Sequence, residues 1–188
     1  MRKRRTADES KQLILNTAER RLREMGLMGL NIVGVAKDAG MSHATLIHHF
    51  GSTEGMRSAL ADHMTRHLIE DVMRALDQDV PPKQLFEDLF RTLSSGGHAK
   101  LLAWLAVEDG TSTAHAPEIF DDLIQACADR FEHFEVDQVR NMVFMVAATA
   151  IGANIANAMP ALIGMNRASI EAFPTWFANQ VAGQRLSS

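Results

Sequence analysis

The stretch Asn31 to Phe50, NIVGVAKDAGMSHATLIHHF, constrains this chain more than any other. Ile32, Val35, Ala36 and Ala39 recur at helical spacing, and Asn31 stands before them as an N-cap. Gly40 can take positive φ, which lets a helix end in a tight turn. Ser42 can cap a second helix, on which Leu46 and Phe50 lie one turn apart on one face. The spacing predicts a helix-turn-helix. Ala36 is small enough for close approach, Gly40 makes the corner and Leu46 fills the gap between the helices. His43, Ala44, Thr45, His48 and His49 then stay clear of the core and can face a major groove. The plain alternative is an ordinary αα-corner of a helical bundle.

Charge supports a nucleic-acid contact at this end only. Residues 1–50 hold nine Lys/Arg against five Asp/Glu, whereas residues 51–188 hold ten against eighteen, so a basic head sits on an acidic body. The run Arg2, Lys3, Arg4 and Arg5 reads as an electrostatic arm on phosphates or in a minor groove, or else as a solvated terminus. It leads into a polar segment, so it does not read as a signal peptide. The single Cys127 has no internal disulfide partner, which fits a reducing, cytoplasmic setting.

The rest of the chain reads as helices. One is expected from about Asp8 to Met25, with Arg20, Arg21 and Arg23 complementing the dipole at its C-terminal end. Ser52 caps a long helix, roughly Thr53 to Leu76, that leaves the head and enters the body. Further helices are expected over Lys83–Leu93, His98–Glu108, Pro117–His133, Val136–Ala158 and within Arg167–Gln184, where Pro174 must kink the helix or mark its start. Residues 141–166 carry no charge, but Thr149, Gly152, Asn154, Asn157 and Pro160 interrupt them, so a buried helix is expected there and not a membrane span.

Together, ILNTAERRLREMG, the helix-turn-helix and LIHHFGSTEGM resemble the TetR family of bacterial regulators over about Leu13 to Leu60. The resemblance implies an all-α protein: an N-terminal arm and DNA-binding domain over residues 1–52, then a helical ligand-binding and dimerisation domain over 53–188. It implies a homodimer, joined through the last two long helices, that reads a palindromic double-stranded operator and represses until a small molecule binds. By the same resemblance Ser42, His43, Ala44, Thr45 and His48 fall on recognition-helix positions, and Asn31 at the phosphate-facing start of the preceding helix. Two residues depart from the family pattern. Ile47 stands where Tyr is usual and Thr53 where Lys is usual, so two phosphate-directed groups are changed; Thr53 keeps a hydroxyl at a helix N-terminus. No Arg or Lys lies on the recognition helix, so His, Thr and Ser must read bases there.

His63 and His67, four apart, could share a metal, but a ligand-pocket role fits better and no metal is expected. Phe90, Trp104, Met142, Met145 and Asn154 are the other pocket candidates by resemblance, and their mainly apolar character suits an apolar or aromatic effector. Glu108, Asp109, Asp121, Asp122 and His115 have no nucleophile or phosphate-cradling loop beside them, so no enzyme, cofactor or membrane role is expected. The competing readings are a DNA-binding protein of the same fold without an effector, and a helical-bundle enzyme or adaptor.

Overall fold

In the computed structural model, residues 6–94, 97–108, 116–130, 134–155 and 163–183 are described. Among them every regular element is helical. The helices are α1 (Ala7–Met25), α2 (Ile32–Ala39), α3 (His43–Phe50), α4 (Thr53–Asp77), α5 (Pro82–Ser94), α6 (His98–Glu108), α7 (Ala116–Arg130), α8 (Val136–Ile155) and α9 (Arg167–Gly183). A single 3-10 turn, Gly26–Gly29, joins α1 to α2.

Polar side chains set the starts of the first four helices. Thr6 and Glu9 form a reciprocal capping box on α1. Asn31, Ser42 and Ser52 each accept a hydrogen bond from the N–H three residues on, starting α2, α3 and α4. Gly40 ends α2 at φ 65°, ψ 36°, a left-handed conformation that a Cβ would disfavour.

The apolar faces then close three clusters. The first joins Ile14, Ala18 and Leu22 of α1 to Val35 and Ala36 of α2 and to Leu46 of α3. It does not stop at residue 52, because Met56, Leu60 and Ala61 of α4 and Leu101 and Leu105 of α6 belong to it. The second gathers Ile69, Val72, Leu76, Leu85, Leu123, Ile124, Cys127 and Val139 from α4, α5, α7 and α8. The third packs Leu68, Phe90, Leu93 and Ala150 against Phe173 and Phe177 of α9. Helix α4 touches α1, α3, α5, α6 and α7, so it runs through the whole molecule as the common strut.

Two expectations need correction. Arg21 is not a solvent-facing complement to the α1 dipole: it is buried and turned onto α2, where it pairs with Asp38. Its position, three residues after Ala18 and one before Leu22, lies on the buried stripe, and the ion pair makes that placement tolerable. Pro174 does not mark a helix start, since α9 begins at Arg167 and runs through it. The missing N–H removes one backbone bond from the helix interior. No helix among the described residues is long and apolar enough to cross a membrane.

Candidate nucleic-acid interface and ligand cavity

Helix α3 is held on one side and open on the other. Leu46 is fully buried, while His43, Ala44 and His48 are exposed and Thr45 and His49 are half-buried. Burying a leucine of this size is worth about 2 kcal/mol, enough to fix which face of a two-turn helix turns inward. The Ser42 hydroxyl accepts from the Thr45 N–H at 3.1 Å and lies 2.8 Å from the Thr45 hydroxyl, so the two side chains form one local unit. The imidazoles of His48 and His49 stand 5.7 Å apart, edge to face. Ile47, at the departure from Tyr, is exposed.

Both ends of the Asn31 amide are engaged. Its Oδ1 accepts from Gly34 N–H at 2.8 Å, and its Nδ2 donates to the Met28 carbonyl at 3.2 Å. Thr53 opens α4 behind Ser52 and is half-buried. Beside it, hydrogen bonds from its own backbone and from Ser52 hold the Glu54 carboxyl below its usual range. Glu54 therefore places a negative charge at the same helix end that Thr53 offers to phosphate. Arg2, Lys3, Arg4 and Arg5 lie outside the described residues.

The pocket candidates do not converge. His63 and His67 meet each other, with ring centroids 4.1 Å apart, on the face of α4 turned to α1. His63 is buried, and its Nε2 has no hydrogen-bond partner and lies 4.0 Å from Glu19 Oε2. Burial first, and the neighbouring His67 second, push its imidazole below the usual range. Among the described residues, no group of three or more His, Cys, Asp or Glu is placed to hold a metal ion. Phe90 sits instead in an aromatic cluster with Phe173 and Phe177, at 5.7 and 6.2 Å. Trp104 lies under the Arg57 guanidinium, 4.4 Å from the ring centroid. Met145 is half-buried on α8, and the Asn154 side chain lies outside the described residues. Only Met142 borders a cavity.

That cavity lies between α4, α5, α7 and α8. Val72, Leu85, Phe86, Leu89, Leu123, Cys127, Val139, Met142 and Val143 line an empty volume of about 420 Å³, part of it open to solvent. Burial pushes the Cys127 thiol up to about 11, so it lines the wall as an apolar group. Periodicity alone did not separate these lining residues from ordinary core, because both kinds occupy the same apolar stripes. Of the imagined acid/base groups, Asp121 is tied to Arg140 at 3.0 Å, while Asp109 and His115 lie outside the described residues.

The helix-turn-helix in this setting matches the model for bacterial regulatory proteins of the tetR family over residues 14–60. The chain belongs to the TetR family. It is 29% identical over 129 residues to the HTH-type transcriptional regulatory protein RaaS of Mycobacterium tuberculosis, a match that spans 58% of each protein. Its fold resembles that of the TetR family repressor AlkX from a Dietzia strain, at 14% identity and TM-score 0.61 over 93% of this chain and 94% of AlkX. It also resembles Thermus thermophilus FadR, a repressor solved with lauroyl-CoA, at 17% identity and TM-score 0.57 over 95% and 96% of the two chains. Within the TetR family match, Asn31, Gly40, Ser42 and Leu46 are the residues that shape the turn here.

Proposed function

We propose that the chain is a DNA-binding transcriptional repressor and not an enzyme, acting in the cytoplasm as a homodimer on a palindromic operator. One observation carries the reading: α3 is anchored by buried Leu46 and offers His43, Ala44, Thr45 and His48 outward from a helix-turn-helix. A helix so presented fits the major groove, with its N-terminal residues nearest the base edges. Asn31 and Thr53 flank it at helix starts, where backbone amides favour phosphate. The Arg2–Arg5 arm adds sequence-independent attraction. On this division residues 1–52 contact DNA, and residues 53–188 take the ligand and the partner protomer.

The effector is a small apolar or aromatic molecule seated in the cavity beside Met142. The wholly apolar lining supports it, and lauroyl-CoA in FadR has an acyl chain of that chemistry. The dimer contact runs through α8 and α9, where Phe144 is 71% and Trp176 56% exposed in the single chain, with Val136 and Ile170 also on the surface. Release would follow from a ligand that binds the DNA-incompetent dimer about 100-fold more tightly, about 2.7 kcal/mol of coupling.

A gel shift on the duplex upstream of the protein's own gene, with and without competitor DNA, tests the reading. Specific retention supports it, and equal retention on competitor defeats it. Removal of residues 1–6 should weaken binding and flatten its salt dependence; an unchanged slope would remove the arm from the account.

A further inference from the structure

Trp104 is half-buried on α6, in the body of the protein, and the α2 N-terminus is part of the head. One side chain on α4 joins them. Arg57 donates through Nε to the carbonyl of Leu30 at 3.0 Å, while its guanidinium carbon lies 4.4 Å above the Trp104 ring centroid. Leu30 is fully buried, and the next residue, Asn31, caps α2. The two contacts use different parts of one rigid group: an edge N–H for the carbonyl and the face for the indole. A lysine could supply the charge but not both directions at once.

We propose that Arg57 is a positioning residue that fixes the α2 N-terminus, and with it the Asn31 phosphate position, by clamping it to α6. The clamp is narrow in scope. It acts on the phosphate contact at the start of α2 and not on the bases that α3 reads. The surrounding core makes it a usable link: Leu101 and Leu105 of α6 share the apolar cluster of Leu30, and Trp104 packs against that cluster. At the start of α6, His98 Nε2 meets Thr65 Oγ1 of α4 at 3.1 Å, which leaves α6 seated while Arg57 is altered. A shift of α6 along α4 therefore either unstacks Trp104 or pulls on the Leu30 carbonyl. The α2 N-terminus is thereby coupled to the body of the protein.

This inference rests on the DNA-binding reading above, and its test separates the two. A duplex selected from a random pool by the full-length wild-type protein serves as the probe, read by fluorescence anisotropy across a potassium chloride series. Arg57→Lys, Trp104→Leu, Asn31→Gly and the Arg57→Lys/Asn31→Gly pair are compared. Arg57→Lys should weaken binding about tenfold, a size normal for coupled contacts. Its salt slope should fall by about one per protomer, as for one lost phosphate contact. Trp104→Leu, which leaves the Leu30 bond, should move both readings the same way by less. Asn31→Gly should add little in the Arg57→Lys background, because both changes remove the same contact. A wild-type slope in Arg57→Lys, or fully additive losses in the pair, overturns the clamp while the wild type still binds. If the wild type retains no duplex, the DNA-binding reading falls and the clamp with it. If Arg57→Lys does not fold, Trp104→Leu decides alone, and a wild-type slope there overturns the proposal.

Discussion

Arg21 Nη1 lies 2.5 Å from Asp38 Oδ2, joining the middle of α1 to the end of α2. On the way its Nε donates to the Gly29 carbonyl at 2.8 Å, so one buried guanidinium holds the 3-10 turn and the helix beyond it. The angle between α1 and the helix-turn-helix rests on this pair as well as on the apolar core. Asp38 keeps about a third of its side-chain surface in solvent, which moderates the cost of burying the charges.

Arg21→Ala should destabilise the protein by about 3 kcal/mol, since it leaves Asp38 and the Gly29 carbonyl without their donor. Urea unfolding followed by circular dichroism measures it. A loss under about 1 kcal/mol would mean that the pair does not lock the head.

Gly34 in α2 gives a sign test. Alanine is normally better than glycine inside a helix by about 1 kcal/mol. Here a Cβ would fall 2.7 Å from Arg21 Cζ and 3.1 Å from Asn31 Oδ1. Gly34→Ala should therefore destabilise by about 1–3 kcal/mol in the wild type and stabilise in the Arg21→Ala background. The same sign in both backgrounds would show that Arg21 does not occupy the space above Gly34.

His98 makes stability depend on acid. Burial lowers its imidazole to about 4 from an ordinary value of 6.5. As pH falls from 6.5 towards 4, the unfolded chain takes up a proton there that the folded chain refuses. Folding thus loses about 1.4 kcal/mol per pH unit, about 3 kcal/mol across the window, and none of this is lost above pH 6.5. His63, also lowered, acts in the same direction. NMR titration of the histidine resonances checks this; a native His98 titrating near its ordinary value would contradict it.

Cys127 should resist alkylation while the fold persists. With its thiol pushed up to about 11, almost none is thiolate at pH 8. Iodoacetamide labelling read by mass spectrometry should be slow in the native protein and fast in urea. Comparable rates would place Cys127 on an accessible surface instead of in the cavity wall.

The head was the legible part of the sequence. Caps, corner glycine and apolar spacing are local, and the backbone satisfies them within a few residues, so α2, α3 and the outward side of α3 follow from Asn31–Phe50. Helix existence along the body was legible for the same reason, including α9 around Pro174. Charge type was a poorer guide, because Arg21 looks like its surface neighbours Arg20 and Arg23 until its partner is known. Likewise, Phe90 and Met142 are equally apolar in the sequence, yet one fills a cluster of rings and the other borders a cavity.

What the sequence determined by itself was periodicity, helix starts and stops, and the identity of the groups that α3 can offer to DNA. These depend on contacts within one or two helical turns. The tertiary structure alone decided which long-range pairs form: Arg21 with Asp38, Arg57 with Leu30 and Trp104, and His98 with Thr65. It also decided where four apolar helices fail to close completely and leave a cavity. The physical reason is that such pairs depend on how helices far apart in sequence cross, and no local pattern encodes that angle.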